Sequence, residues 1–208
     1  MEPLILVGTV HLDPYGYDLL LNLLFDLKPE TVCVDVSQYA LEFRKTVGRE
    51  YRSLLDNFRR QDGSLPPALE AVDMQLQVPF EYRAADDYAE RRGARLVPAG
   101  DSAQSQRLLG HLSRELMTTD NLVKLASREE PPLKEQVEKE WQRARKYYRV
   151  GSPMSGGLET TDRRLARQIK EYAGREPVAH VGGWEHLKGL SDLLSEFNPE
   201  LKLLSPLS

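Results

Sequence analysis

Leu4 to Val7 are four consecutive apolar residues with no alternation, the pattern of a strand buried on both faces, and Gly8 breaks the run. Asp13-Pro14 then predicts a helix start, a capping side chain followed by a ring whose fixed φ suits a first turn. Leu19, Leu20, Leu23, Leu24 and Leu27 recur at helical spacing until Lys28-Pro29 stops the helix. TVCVDV, residues 31–36, is a second strand rich in β-branched residues. The pattern turns helical and polar from Tyr39 to about Arg60, with a loop at QDGSLPP and an amphipathic stretch beyond Pro67. A helix from about Phe80 to Arg92 ends at Gly93, and ARLVPA follows as a third short strand.

Residues 103–149 are charged and helical, interrupted at Pro131-Pro132. GSPMSGG, residues 151–157, predicts a flexible loop before a helix that runs to about Gly174. In PVAHVGGWEHLKGL, Val178 to Val181 read as a strand, Gly182-Gly183 as a turn, and the rest as a helix. Strands alternating with helices predict an α/β fold, a mainly parallel β-sheet flanked by helices. Large helical insertions around 38–77 and 103–149 would form a cap within one domain spanning 1–208. A chain of 208 residues, 40% hydrophobic, is long enough for one sizeable core.

Charge and cysteine usage narrow the function classes. With 28 basic and 32 acidic residues and a formal net charge of −4, the chain has no global attraction for nucleic acid or anionic membranes, and no nucleic-acid partner is expected. The single cysteine, Cys33, excludes an intrachain disulfide and reads as a buried thiol in a reducing compartment. Neither a signal peptide nor an apolar run of about 18 residues is visible, so no transmembrane segment is expected and a cytoplasmic location is the expectation.

Candidate chemistry gathers at two strand ends. GTVH at 8–11 and GWEH at 183–186 share the form Gly-x-x-His, each closing a strand and opening a helix, which puts His11 and His186 at the carboxyl edge where open parallel sheets bind ligands. A lone histidine beside a turn is commonly a structural, hydrogen-bonded residue; the matched pair points to a site. Asp35 ends an apolar strand, where an unpaired carboxylate is costly. Glu81 and Asp101 stand at helix starts, where each either caps its helix or serves the same cleft. Glu185 reads as an alternative base or as a solvated helix residue, and His111 and His180 as structural. RARKYYR at 143–149 reads as a solvated helix face rather than a phosphate contact. The Gly-Gly turn offers backbone N–H groups to a phosphate, without the spacing of a dinucleotide fingerprint or a Walker loop.

These features resemble the TraB/PrgY family, related to the Tiki group and more distantly to ChaN-like and erythromycin-esterase-like proteins. The resemblance rests on the two Gly-x-x-His motifs in this order, the strand ending near Asp35, FEYRAADDYAERRGARLVPAGD at 80–101, and TDRRLARQI and VAHVGGWEHLKGL between 161 and 190. Departures are Asp35 where the family carries glutamate, Ser102 for an arginine, and Thr160-Thr161-Asp162 for a Glu-Arg-Asp stretch, whose arginine Arg163 or Arg164 would replace. The resemblance implies a metal-dependent hydrolase, possibly peptidase-like, acting on a peptide or small-molecule ligand. His11 and His186 would be metal ligands, Asp35 a ligand or supporting partner, and Glu81 or Asp101 a ligand or catalytic base. Such a mixed nitrogen and oxygen donor set suits a divalent Mn, Co or Zn ion. The alternative is a non-catalytic or regulatory module holding a small molecule, haem or peptide in the same cleft.

Overall fold

The computed structural model describes residues 2–150 and 159–204, so the predicted GSPMSGG loop lies outside the described residues. Among these, β1 (Leu4–Thr9), β2 (Thr31–Val34), β3 (Arg95–Pro98), β4 (Val178–Gly183) and β5 (Glu200–Leu203) form one sheet in the order β3-β2-β4-β1-β5. Every neighbouring pair is parallel, as the α/β expectation requires. Parallel neighbours need crossover connections, and the helices supply them. Alternation along β1 shows how both faces are closed. Ile5 and Val7 pack with Leu20 and Leu24 of α1 (Gly16–Leu27) and with Ala84, Ala85 and Tyr88 of α5 (Phe80–Arg92). Leu4 and Leu6 pack on the other face with Leu165 and Ile169 of α9 (Glu159–Lys170) and Leu187 and Leu190 of α10 (Leu187–Leu193). Each such buried side chain contributes roughly 1.5–3 kcal/mol.

Between β2 and α5 the chain inserts α2 (Gln38–Lys45), α3 (Val47–Leu55) and α4 (Pro67–Leu76). After β3 it adds α6 (Ser102–His111), a π-helical turn at Leu112–Leu116, α7 (Thr119–Ala126) and α8 (Leu133–Val150). Of these, α2, α4, α6 and α8 stand over the carboxyl edge of the sheet. Two indoles fasten α8 there: Trp141 Nε1 donates to Asp13 Oδ2 at 2.8 Å in the interior, and Trp184 Nε1 to Glu140 Oε1 at 3.1 Å. No helix among the described residues is long and apolar enough to cross a membrane.

Several boundaries differ from the sequence reading. Gly8 does not break β1, which continues to Thr9; a Cβ on Gly8 would come within 2.5 Å of Leu187 Cδ1 and 2.9 Å of Trp184 Cα, so this glycine is there for close approach. Gly182 and Gly183 likewise belong to β4, not to a turn. Helix α1 starts at Gly16, because Asp13 Oδ1 accepts from the Tyr15 N–H at 2.9 Å and closes a separate turn first. β2 ends at Val34, leaving Asp35 and Val36 outside the strand. The helix expected from Tyr39 to Arg60 is split at Thr46, which leaves helical geometry at φ −111, ψ −89. α9 stops at Lys170, short of Gly174. β5 was not anticipated, being four residues long at the sheet edge beside β1.

Candidate functional site

The strand ends and the helices above them enclose a cleft of about 780 Å³. Its floor is set by register: Gly8 pairs with Gly182 and Thr9 with Gly183, so the two Gly-x-x-His segments leave adjacent strands side by side. His11 follows β1, while His186 ends the short 3₁₀ turn Trp184–His186 after β4.

Each of these histidines is held from behind by a buried carboxylate. His11 Nδ1 donates to Glu81 Oε1 at 2.7 Å, and Thr9 Oγ1 donates to the same oxygen at 2.8 Å. His186 Nδ1 donates to Asp162 Oδ1 at 2.6 Å. Glu81 and Asp162 are only 2% and 5% exposed, which identifies both as built-in partners rather than surface ions. A carboxylate is an acceptor, so the proton of each neutral ring lies on Nδ1 and its lone pair on Nε2. Glu81 therefore does not cap α5, whose N-cap is Pro79; it reaches from the first turn of that helix to orient His11. Its second oxygen, Oε2, is buried without a hydrogen-bond partner.

His186 Nε2 lies 3.8 Å from Asp35 Oδ2. Asp35 in turn faces Arg164 Nη2 at 3.9 Å, and Arg164 Nη1 lies 3.5 Å from Asp101 Oδ2. Asp101 also caps α6, its Oδ1 accepting from the Gln104 N–H at 2.9 Å, while the side chain lines the cleft. Of the two arginines that follow Asp162, Arg164 enters the cleft, whereas Arg163 pairs with Glu159 on the outer surface.

The electrostatics follow from this crowding. Burial pulls the His11 pKa down, but the carboxylates of Glu81, Glu185 and Asp35 outweigh it and raise the value from 6.5 to about 9. Half of the His11 side chain is open to solvent, so water screens part of that attraction. For His186, burial is likewise outweighed, here by the bond to Asp162 and the charge of Asp35, and its pKa is raised. Burial raises the Asp35 carboxyl, with His186, His11 and Arg164 opposing. The hydrogen bond from the Gln104 N–H leads the lowering of the Asp101 carboxyl.

His111 ends α6 and pairs with Glu115 at 3.1 Å on the surface. His180 is 1% exposed on β4, and burial, followed by the charge of His186, lowers its pKa to about 3. Glu185 sits over Gly183, where a Cβ would meet its carboxylate at 2.7 Å, so the Gly-Gly segment presents a negative group and not a phosphate cradle.

The sequence reading had not singled out Thr9 or Asp162 as site residues, and it offered Arg164 only beside Arg163 as a replacement for the family's arginine. A buried polar residue two positions before a Gly-x-x-His histidine was the available signal for Thr9. For Asp162 it was a carboxylate on the apolar stripe of Leu165, Ala166 and Ile169. Among the described residues no group of three His, Cys, Asp or Glu side chains is arranged to hold a metal ion. Compared with known proteins, the chain matches no protein-family model and no curated protein.

Proposed function

We propose that this chain is a hydrolase that cleaves an ester or amide bond of a peptide or small molecule in the cleft above the β1 and β4 ends. The observation that carries the reading is the repeated dyad. Both Gly-x-x-His imidazoles have Nδ1 occupied by a buried carboxylate, which fixes the ring and leaves Nε2 to act. A purely structural histidine needs no such backing twice at one sheet edge.

The resemblance to the TraB/PrgY family adds a divalent ion. His186 Nε2 and Asp35 Oδ2, 3.8 Å apart, are the side chains that would hold it. When bound, the ion would acidify a water and polarise the substrate carbonyl. Asp162 keeps His186 in the required tautomer and orientation. His11, backed by Glu81 and protonated near neutral pH, gives a proton from Nε2 and recovers it, and its charge also offsets the carboxylates around it. Asp101 fixes the end of α6 and holds Arg164 in place.

Calorimetric titration with Mn²⁺, Co²⁺ and Zn²⁺, paired with turnover on a panel of chromogenic esters and peptides, tests the reading. Wild type should bind metal and turn over, His186→Ala and Asp35→Asn should lose at least about tenfold in affinity, and His111→Ala should behave as wild type. Metal binding without turnover of any ester or amide would favour the ligand-binding module instead.

A further inference from the structure

Among the described residues that line the cleft, the guanidinium groups are those of Arg44 and Arg164, and they differ in how their donors are used. Arg44 is committed, with Nε on the Gln75 carbonyl at 3.0 Å and Nη1 on the Ala40 carbonyl at 3.1 Å. Arg164 is not. Its distances to Asp35 and Asp101, 3.9 and 3.5 Å, exceed a hydrogen bond of about 2.7–3.2 Å. Its Nε and Nη1 are buried with no hydrogen-bond partner. A guanidinium that lines the cleft with Nη2 3.9 Å from its nearest carboxylate, too far for a hydrogen bond, keeps donors for a carboxylate that enters beside it.

The cleft also carries apolar side chains among polar ones such as Gln75 and Gln136. Met74 of α4, Leu108 of α6, and Leu133 and Val137 of α8 line it, and Leu108 is 62% exposed although it is a leucine facing the cleft. The cavity thus combines an arginine that is not spent on hydrogen bonds with apolar side chains and two carboxylate-backed imidazoles.

We propose that Arg164 receives a carboxylate of the substrate, making the cleft selective for molecules that combine a free carboxylate close to the scissile bond with an apolar side chain, as the carboxyl-terminal residue of a peptide does. The position of the scissile bond rests on the hydrolase reading; the binding preference does not. Arg164 is here a specificity-determining residue.

The test is binding of N-acetyl-L-leucine and of its neutral amide, followed by NMR titration or calorimetry, to wild type and to Arg164→Met, Arg164→Lys and Arg163→Met, with circular dichroism for folding. Wild type and Arg163→Met should favour the carboxylate by about tenfold or more, the size expected for charge-assisted hydrogen bonds. Arg164→Met should bind acid and amide alike. Arg164→Lys keeps the charge but loses the fork, so its preference should fall below that of wild type, and it carries the comparison if the methionine variant does not fold. Equal affinity of wild type for acid and amide, failure to bind either at millimolar concentration, or a preference that survives in Arg164→Met would overturn the proposal. Carboxylate-selective binding with no cleavage of either compound would count against the hydrolase reading alone, whereas cleavage without selectivity would count against Arg164 alone.

Discussion

Asp162 Oδ1 accepts the Nδ1 proton of His186 at 2.6 Å, and the carboxylate reaches that position only because residue 189 is glycine. A Cβ at Gly189 would lie 1.9 Å from Asp162 Oδ2. Gly189→Ala should therefore displace the Asp162 carboxylate and loosen His186 without touching either residue. Metal affinity and turnover should fall about 10- to 100-fold, the usual cost of disturbing the group behind a ligating histidine. Unchanged values alongside an altered melting temperature would reduce Asp162 to a packing residue.

The His11–Glu81 pair makes stability depend on pH in the metal-free protein. The folded pKa of His11, about 9, lies above its unfolded value of 6.5, so the native state binds more protons between the two. The associated stability is complete below about pH 6.5 and is lost as pH rises towards 9. Thermal midpoints measured between pH 6 and 10 should fall across that window, and Glu81→Gln should flatten the part of the slope due to His11. A slope that Glu81→Gln leaves intact would place its origin elsewhere.

Trp141 and Asp13 join α8 to the turn that follows His11. Trp141→Phe keeps most of the ring but leaves the buried Asp13 oxygen unpaired, costing about 1–3 kcal/mol. Urea unfolding should show that loss as a lower midpoint, with ligand binding weakened because α8 lines the cleft with Leu133 and Val137.

Gly100 marks the join between β3 and the Asp101 cap. A Cβ there would stand 2.3 Å from Ser37 N and 2.5 Å from Val36 C, both backbone atoms that cannot swing away. Gly100→Ala should destabilise by about 1–3 kcal/mol or more and displace Asp101 from Arg164. A wild-type melting temperature in this variant would contradict the close packing.

The parts of this architecture that were legible in the sequence are those carried by a strong local pattern. Leu4 to Val7, TVCV and Val178 to Val181 announced buried strands, and Gly-x-x-His marked both histidines because each motif ends one of two paired strands, β1 and β4. Asp162 was hidden for a physical reason. An acidic residue in the first turn of a helix ordinarily complements the helix dipole in solvent, and only the packing of α9 against α10 turns this one inward. Arg164, one position after Arg163 in a charged helix, could be given a direction only once the helix was docked. β5 was missed because a four-residue edge strand after Pro199 carries too little alternation to stand out.

The measurement that bears most directly on the central claim, that the two backed histidines serve one reacting centre, is a double-mutant cycle on turnover. The best ester or peptide substrate of the wild type is assayed for kcat/KM with His11→Ala, His186→Ala and the double variant, all with metal present. Residues that act as a unit are strongly non-additive, so the double variant should be scarcely slower than the slower single one. Losses that simply multiply, single variants as active as wild type, or a wild type that hydrolyses nothing in the panel would contradict the account.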